Sequence, residues 1–329
     1  MASKYKGLVL AAGFGTRLRP LTNAFPKPLV PFAGTTPLAL AVSKLVSLGV
    51  ESIAVNSHYH SDQIYSATSL SQKMFPDVAL KLSHEPEILG TGGALNPLRS
   101  WLGDSPLIII NGDVVSSISL TDLVEIHESR RACATMALLP KVIQGETSVF
   151  HNNGLIKAIS KSEIPSNASS GNFACAQIIT KTFVDLLPHE GSFDIISKGY
   201  LPALASSLTV AAYIHCGYWH DLGTPKSYLS ALLDLFNLPT DALEKTLQLN
   251  LRSNQMNLDL SKQSLVHQRA RIGAQVVLGP RVIVEADSVL GDRCHITESI
   301  ILPGAQVSAG ETIHRMIIGK DFRLDTASA

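Results

Sequence analysis

Residues 8–29, LVLAAGFGTRLRPLTNAFPKPL, decide how the chain begins to fold. Leu8, Val9 and Leu10 read as a buried strand that runs straight into a turn built on Gly13 and Gly15. Glycines at these points remove the Cβ atoms that would keep backbone N–H groups away from an anionic ligand. Ala11, Ala12 and Thr16 complete the turn, and Arg17 and Arg19 set fixed positive charge beside it. Pro26 and Pro28 restrict the backbone on either side of Lys27, so its ammonium group can be held in place. This is a cradle suited to a nucleoside triphosphate.

Two common phosphate loops do not fit the stretch. A dinucleotide fingerprint needs a third glycine where the chain has Leu18, and a helix where Pro20 and Pro26 intervene. A Walker loop needs Gly-Lys-Ser or Gly-Lys-Thr, which is absent after Gly13. Apolar runs and amphipathic segments alternate through the first half, giving an α/β expectation: a Rossmann-like, mostly parallel sheet sandwiched by helices. Candidate strands are residues 8–12, 52–56, 79–84, 107–111, 134–139 and 208–215, and candidate helices include 120–130 and 225–236. Leu38, Val42, Leu45 and Val46 recur at helical spacing, with Gly49 placed as a C-terminal cap. Residues 148–180 are rich in turn formers and read as an antiparallel excursion or lid.

The C-terminal part changes period. Ile272, Leu278, Val284, Leu290, Ile296 and Leu302 follow at steps of six. A coil with three flat faces puts all of them inside, which predicts a short left-handed parallel β-helix of two to three coils, with the register slipping near Val307. The expected division is a catalytic domain over 1–238, a connecting segment over 239–268 and the β-helix over 269–329. At 329 residues the chain is long enough for two cores. Lysine plus arginine equals aspartate plus glutamate at 27 each, which offers no field for nucleic acid or an anionic membrane. Neither a secretory leader nor a run of about 20 apolar residues is legible, so a soluble, cytoplasmic protein is expected. Cys133, Cys175, Cys216 and Cys294 form no C-x-x-C pair and read as reduced thiols.

Two carboxylates stand where an α/β sheet binds ligands, beyond the carboxyl ends of strands. Asp113 follows the run 107–111 through Gly112, and Asp221 lies in GYWHDLGTP just before a helix start at Thr224 and Pro225. Together they are candidate ligands for Mg2+, which takes one or two protein carboxylates and fills its octahedron with phosphate oxygens and water. His58, His60, His215 and His220 lack the spacing of a zinc site.

The ordered set Gly-x-Gly-Thr-Arg-Leu-x-Pro, Pro-Lys-Pro, HEPEILGTGGAL (84–95), NGD (111–113) and GYWHDLGTP (217–225) resembles the sugar-1-phosphate nucleotidyltransferases over nearly the whole chain. The resemblance implies an enzyme that joins an NTP to a sugar 1-phosphate, with Mg2+ as cofactor and pyrophosphate as the second product. By the same resemblance Ala11, Ala12, Gly13, Gly15, Thr16, Gly90, Thr91 and Gly92 border the nucleotide. Arg17 grips the triphosphate, Lys27 the reacting phosphates, and Asp113 and Asp221 the metal. Relatives carry a sugar-phosphate lysine ahead of an Asn-Ala-Gly stretch; the comparable residue here is Lys161. The run FACAQII is closer to relatives that handle mannose or N-acetylmuramate phosphates, with Cys175 where they have glycine. The base remains open among guanine, uracil and thymine. A catalytically idle regulatory subunit and a bifunctional nucleotidyltransferase/acyltransferase are the competing readings. The β-helix is expected to cover apolar surface or to join subunits of a homo-oligomer.

Overall fold

In the computed structural model, residues 4–140, 147–160, 169–239, 242–243 and 255–326 are described. The chain divides into two compact units. The first comprises Met1–Gly13, Ala41–Gly112 and Ile118–Tyr218, and the second Phe14–Leu40, Asp113–Ser117 and Trp219–Ala329.

Strands β1 (Lys6–Leu10), β2 (Ser52–Ser57), β3 (Ala79–His84), β4 (Leu107–Asn111), β5 (Val114–Ser116), β6 (Ala134–Leu139), β7 (Ser148–Asn152), β8 (Leu155–Ser160), β9 (Ser169–Ile179), β10 (Val210–Ile214) and β11 (Trp219–Asp221) precede the C-terminal coils. All but β5 and β11 form one sheet in the order β3-β2-β1-β4-β9-β6-β10-β8-β7. β3, β2, β1 and β4 pair in parallel, as do β6 and β10. The buried Leu8, Leu107, Ile109, Met136, Leu138, Ile179 and Val210 lie in one apolar cluster with Phe183 and Tyr200. Each such side chain contributes roughly 1.5–3 kcal/mol by leaving water. Helix Pro37–Ser47 matches the predicted spacing, and helix Leu120–Ser129 is capped by Ser119, which accepts from the Asp122 amide.

The expected lid over 148–180 is corrected. The segment is antiparallel, but β9 is no lid: it pairs first with β7 and then enters the sheet between β4 and β6. Its C-terminal half carries Ala176, Ile178 and Ile179, all at most 3 % exposed, and only a core position hides them. The change of partner falls at a register shift opposite Met136 and Leu138, where Cys175 takes φ 61°. A left-handed residue in a strand is a bulge device that favours glycine.

In the second unit β5 and β11 make a two-stranded antiparallel ribbon. Helix Pro225–Asp234 starts from a capping box between Thr224 and Ser227. Beyond it the chain forms coils that stack one strand of each of three sheets. They run through Arg271–Ile272, Val277–Leu278 and Val282–Val284, then Val289–Leu290, His295–Thr297 and Ser299–Ile301, then Gln306–Val307, Thr312–His314 and Met316–Ile318. Ile272 pairs with Leu290 and Leu278 with Ile296, three six-residue steps on. Val284, however, pairs with Ile301 rather than Leu302. The slip therefore lies at the turn of Glu298 (φ 46°), earlier than Val307. Ile272 was expected inside and is 43 % exposed, because its strand is the first rung of its sheet. Part of the expected connecting segment is a hairpin, Met256–Asp259 with Ser264–His267, that extends the third face beside Val282–Val284.

Candidate functional site

In the second unit, the ribbon solves a problem that sequence distance hides. Asp221 pairs with Val114, and the Leu222 amide donates to the Asp113 carbonyl at 3.2 Å, so the two acidic residues become neighbours across β5 and β11. The Lys27 ammonium donates to both, at 2.7 Å to Asp113 Oδ2 and 2.7 Å to Asp221 Oδ1. Lys27 is 8 % exposed. Burial alone would lower its pKa, yet the charges of Asp113 and Asp221 and their hydrogen bonds outweigh it and raise the value.

The glycine turn packs against this lysine. Gly15 sits at φ 63°, and a Cβ there would meet Thr22 Cγ2 at 2.9 Å and Lys27 Cβ at 3.1 Å. The Thr22 hydroxyl donates to the Gly15 carbonyl at 2.8 Å and closes the turn. Thr16 and Arg17 are the exposed residues of the helical turn Thr16–Leu18, which is anchored by the buried Leu18. The Arg17 guanidinium reaches the Asp221 side: a Cβ on Gly223 would lie 3.3 Å from Arg17 Nη2 and 2.9 Å from Asp221 Oδ2. Gly223 is thus a requirement of this corner that motif reading passed over. On the flank of the ribbon, His220 Nε2 lies 3.2 Å from Asp234 Oδ2, with burial lowering its pKa against the pull of that carboxylate.

The donor set fits a hard divalent ion. Two carboxylate oxygens already converge on one cation, the Lys27 ammonium. No cluster of three or more His, Cys, Asp or Glu suited to a metal occurs among the described residues, so the protein would supply two oxygens and leave the remaining positions to phosphate and water.

In the first unit a second polar group is fully buried. The Ala11 amide donates to Asn56 Oδ1 at 2.5 Å, Asn56 Nδ2 donates to Glu85 Oε1 at 2.8 Å, and Glu85 Oε2 accepts from the Leu89 amide at 2.9 Å. Asn56 and Glu85 are 2 % and 0 % exposed, and they tie the segment of Ala11 and Ala12 to the segment that leads into Gly90. Asn56 closes a strand as an apolar run ends, a weak signal that sequence reading missed. His58 Nδ1 lies 2.8 Å from the Glu85 carbonyl, a loop contact rather than a metal ligand. Gly90, Gly92 and Gly93 have a local reason: Cβ atoms there would meet Phe193 O at 2.6 Å, the Phe193 ring at 2.6 Å and Gly191 O at 2.7 Å. Thr91 Oγ1 accepts from the Ile195 amide at 3.0 Å. Gly13 has nothing within 4 Å of an added Cβ and faces open space. Lys161 lies outside the described residues.

Residues 6–237 match the model of the nucleotidyl transferase family, and 260–328 match the GMPPB C-terminal domain. The chain belongs to the nucleotidyl transferase family. It is a sugar-1-phosphate nucleotidyltransferase, an enzyme that joins an NTP to a sugar 1-phosphate and releases pyrophosphate. A mannose-1-phosphate guanylyltransferase of Mycobacterium tuberculosis is 27 % identical over 316 residues, covering 94 % of this chain and 82 % of that protein. Mannose-1-phosphate guanylyltransferase 1 of Arabidopsis thaliana is 26 % identical over 324 residues, covering 95 % and 86 %. The structure of HddC from Yersinia pseudotuberculosis complexed with GMP-PN shares the fold at a TM-score of 0.56 and 24 % identity, covering 69 % of this chain and 97 % of that one. Among the described residues no helix is long and apolar enough to cross a membrane.

Proposed function

We propose that this nucleotidyltransferase makes GDP-mannose from GTP and mannose 1-phosphate, with Mg2+ as its cofactor. The observation that carries the catalytic part is the meeting of Asp113 and Asp221 on the Lys27 ammonium. The choice of base and sugar is supported by relatives aligned over both halves of the chain, which bear the name mannose-1-phosphate guanylyltransferase. The GMPPB C-terminal domain match at 260–328 points the same way.

Asp113 and Asp221 would hold the divalent ion, which supplies charge neutralisation at the phosphates when bound. The chain's own groups do the rest. A phosphate oxygen of the sugar 1-phosphate attacks the α-phosphorus of the NTP in line; that P–O bond forms as the α–β bridging bond breaks, and pyrophosphate carries away the electron pair. No nucleophilic side chain is needed, because phosphoryl chemistry of this kind depends on alignment and charge. Lys27, buried and kept protonated by its two carboxylates, is placed to transfer its hydrogen bonds to incoming phosphate oxygens. Arg17 grips the triphosphate from the exposed turn of Thr16, and Gly13 leaves the backbone open to the nucleotide. Ala11, Ala12, Gly90, Thr91 and Gly92 are assigned to base and ribose, and Lys161 to the sugar phosphate. The reaction is placed in the cytoplasm, with the β-helix joining copies of the chain.

The test is pyrophosphate release from each of GTP, UTP, dTTP, ATP and CTP, paired with a panel of sugar 1-phosphates. GTP with mannose 1-phosphate should give the highest kcat/KM. Turnover confined to another pair would correct the substrate, and silence of folded protein across the panel would remove the catalytic reading.

A further inference from the structure

The C-terminal coils carry one acidic residue whose burial asks for a reason. Glu285 follows strand Val282–Val284 and is 3 % exposed. Both of its carboxylate oxygens accept from the Gly34 amide, at 3.1 and 3.2 Å. Burial pushes its pKa up to about 7, with the Gly34 and Ala33 amides pulling the other way. A carboxylate removed from water and served by backbone amides is expensive unless it fixes something.

What it fixes is the turn that follows Lys27. Phe32 and Thr35 close on one another through reciprocal backbone hydrogen bonds, the Phe32 amide donating to the Thr35 carbonyl at 2.8 Å and the Thr35 amide to the Phe32 carbonyl at 3.2 Å, with Ala33 and Gly34 between them at φ 51° and 78°. Two successive left-handed residues make the tight turn of a hairpin, and the first of them is an alanine that disfavours that conformation, so the turn needs an outside anchor. A second anchor holds the same stretch: the hydroxyl of Tyr228, at 0 % exposure, donates to the Pro31 carbonyl. Between these anchors and the Lys27 side chain stand only the helical turn Lys27–Leu29 and Val30. On its other side the Lys27 Cβ faces Gly15, where an added Cβ would come within 3.1 Å of it, so little freedom is left to the backbone that delivers the ammonium.

We propose that Glu285 is a positioning residue for nucleotidyl transfer: it grips the Phe32–Thr35 turn and so sets the Lys27 backbone against Asp113 and Asp221. The β-helix thereby takes part in turnover. The inference rests on Lys27 acting on phosphates, and its range is geometric, since a displacement of about 1 Å at a catalytic group can lower a rate by about 100-fold.

Full-length wild type, Glu285→Ala and Glu285→Gln would be compared by steady-state pyrophosphate release and by hydrogen exchange of the 27–36 amides. Glu285→Ala should lower kcat at least 10-fold with KM for the NTP within 3-fold, and speed exchange at Gly34 by 10-fold or more. Glu285→Gln, whose amide oxygen still accepts from Gly34, should recover kcat to within 3-fold of wild type and restore the protection. If Glu285→Ala does not fold, Glu285→Met, which keeps the side-chain volume but offers Gly34 no carboxylate or amide acceptor, takes its place and should show the same kcat loss. Unchanged kcat per folded molecule, or a loss that Glu285→Gln does not relieve, would overturn the proposal. Silence of the wild type would instead sink the functional reading, and the exchange data would still decide whether Glu285 anchors the turn.

Discussion

Two lysines of this chain are equally hidden from solvent, Lys27 and Lys44, each 8 % exposed, yet their protonation is driven in opposite directions. Lys27 lies in a tight turn between prolines and meets two carboxylates, which raise its pKa against burial. Lys44 lies on helix Pro37–Ser47, where burial lowers its pKa to about 7. Depth alone therefore says nothing about whether a buried amine is a fixed charge. At Lys27 the two carboxylates within hydrogen-bond reach decide it.

The contrast can be broken most forcefully at the carboxylates. Asp113→Ala removes one of the two oxygens on Lys27, and kcat should fall about 10^3-fold, on the scale of several kcal/mol for charge stabilisation of a phosphoryl group. Pyrophosphate release under saturating substrate measures it; retention of more than a tenth of the rate would detach Asp113 from the chemistry. Lys27→Met should cost about 100-fold in kcat. It leaves the two acids facing each other, and stability at pH 8 should drop by only about 1 kcal/mol, because the side chains of Asp113 and Asp221 are 29 % and 40 % exposed and screened by water.

At Lys44 the sign reverses. Its folded pKa is about 7, below the ordinary lysine value of 10.5, so stability from this group rises with pH between those values. Lys44→Met should therefore stabilise the protein by a few kcal/mol at pH 6, on the scale of about 1.4 kcal/mol per pKa unit, and by progressively less toward pH 10. Urea melts at both pH values measure this, and a Lys44→Met effect that does not change with pH would mean that the ammonium is not desolvated.

Glu285 gives the smaller, acidic counterpart. Its folded pKa of about 7 lies above the ordinary glutamate value of 4.5, so folding takes up a proton between them and stability falls as pH rises through that window. Glu285→Gln should raise stability by about 1–3 kcal/mol above pH 7 and make no difference below about pH 4.5, in the same melts.

Much of this was legible in the residues themselves. Strands β3, β4 and β6 fall where the apolar runs place them, and the Pro-Lys-Pro and Asp-containing motifs pick out the residues that meet in the second unit. The ribbon that joins Asp113 to Asp221 was not legible, since β5 and β11 are three residues each and carry no periodicity of their own. β9 misled for a related reason: its N-terminal half is polar and turn-like, while its C-terminal half has the apolar character of a central strand. Asn56, Glu85 and Glu285 each accept from a backbone amide, which every residue but proline possesses, so no spacing of side chains announces those contacts. Within the coils the step of six was readable, but the single missing residue at Glu298 shows in the strand pairing, where Val284 meets Ile301, Leu290 meets Val307 and Ile296 meets Ile313.

Whether Lys27 stands in for a divalent cation between Asp113 and Asp221 is open to a binding measurement that needs no turnover. Mn2+ binding by electron paramagnetic resonance, without nucleotide, would be compared for wild type, Lys27→Met and the double change Asp113→Ala, Asp221→Ala. Removal of the ammonium should tighten Mn2+ binding at least 10-fold relative to wild type, and removal of both carboxylates should abolish it. Equal binding by all three proteins would contradict the assignment of these carboxylates to a metal.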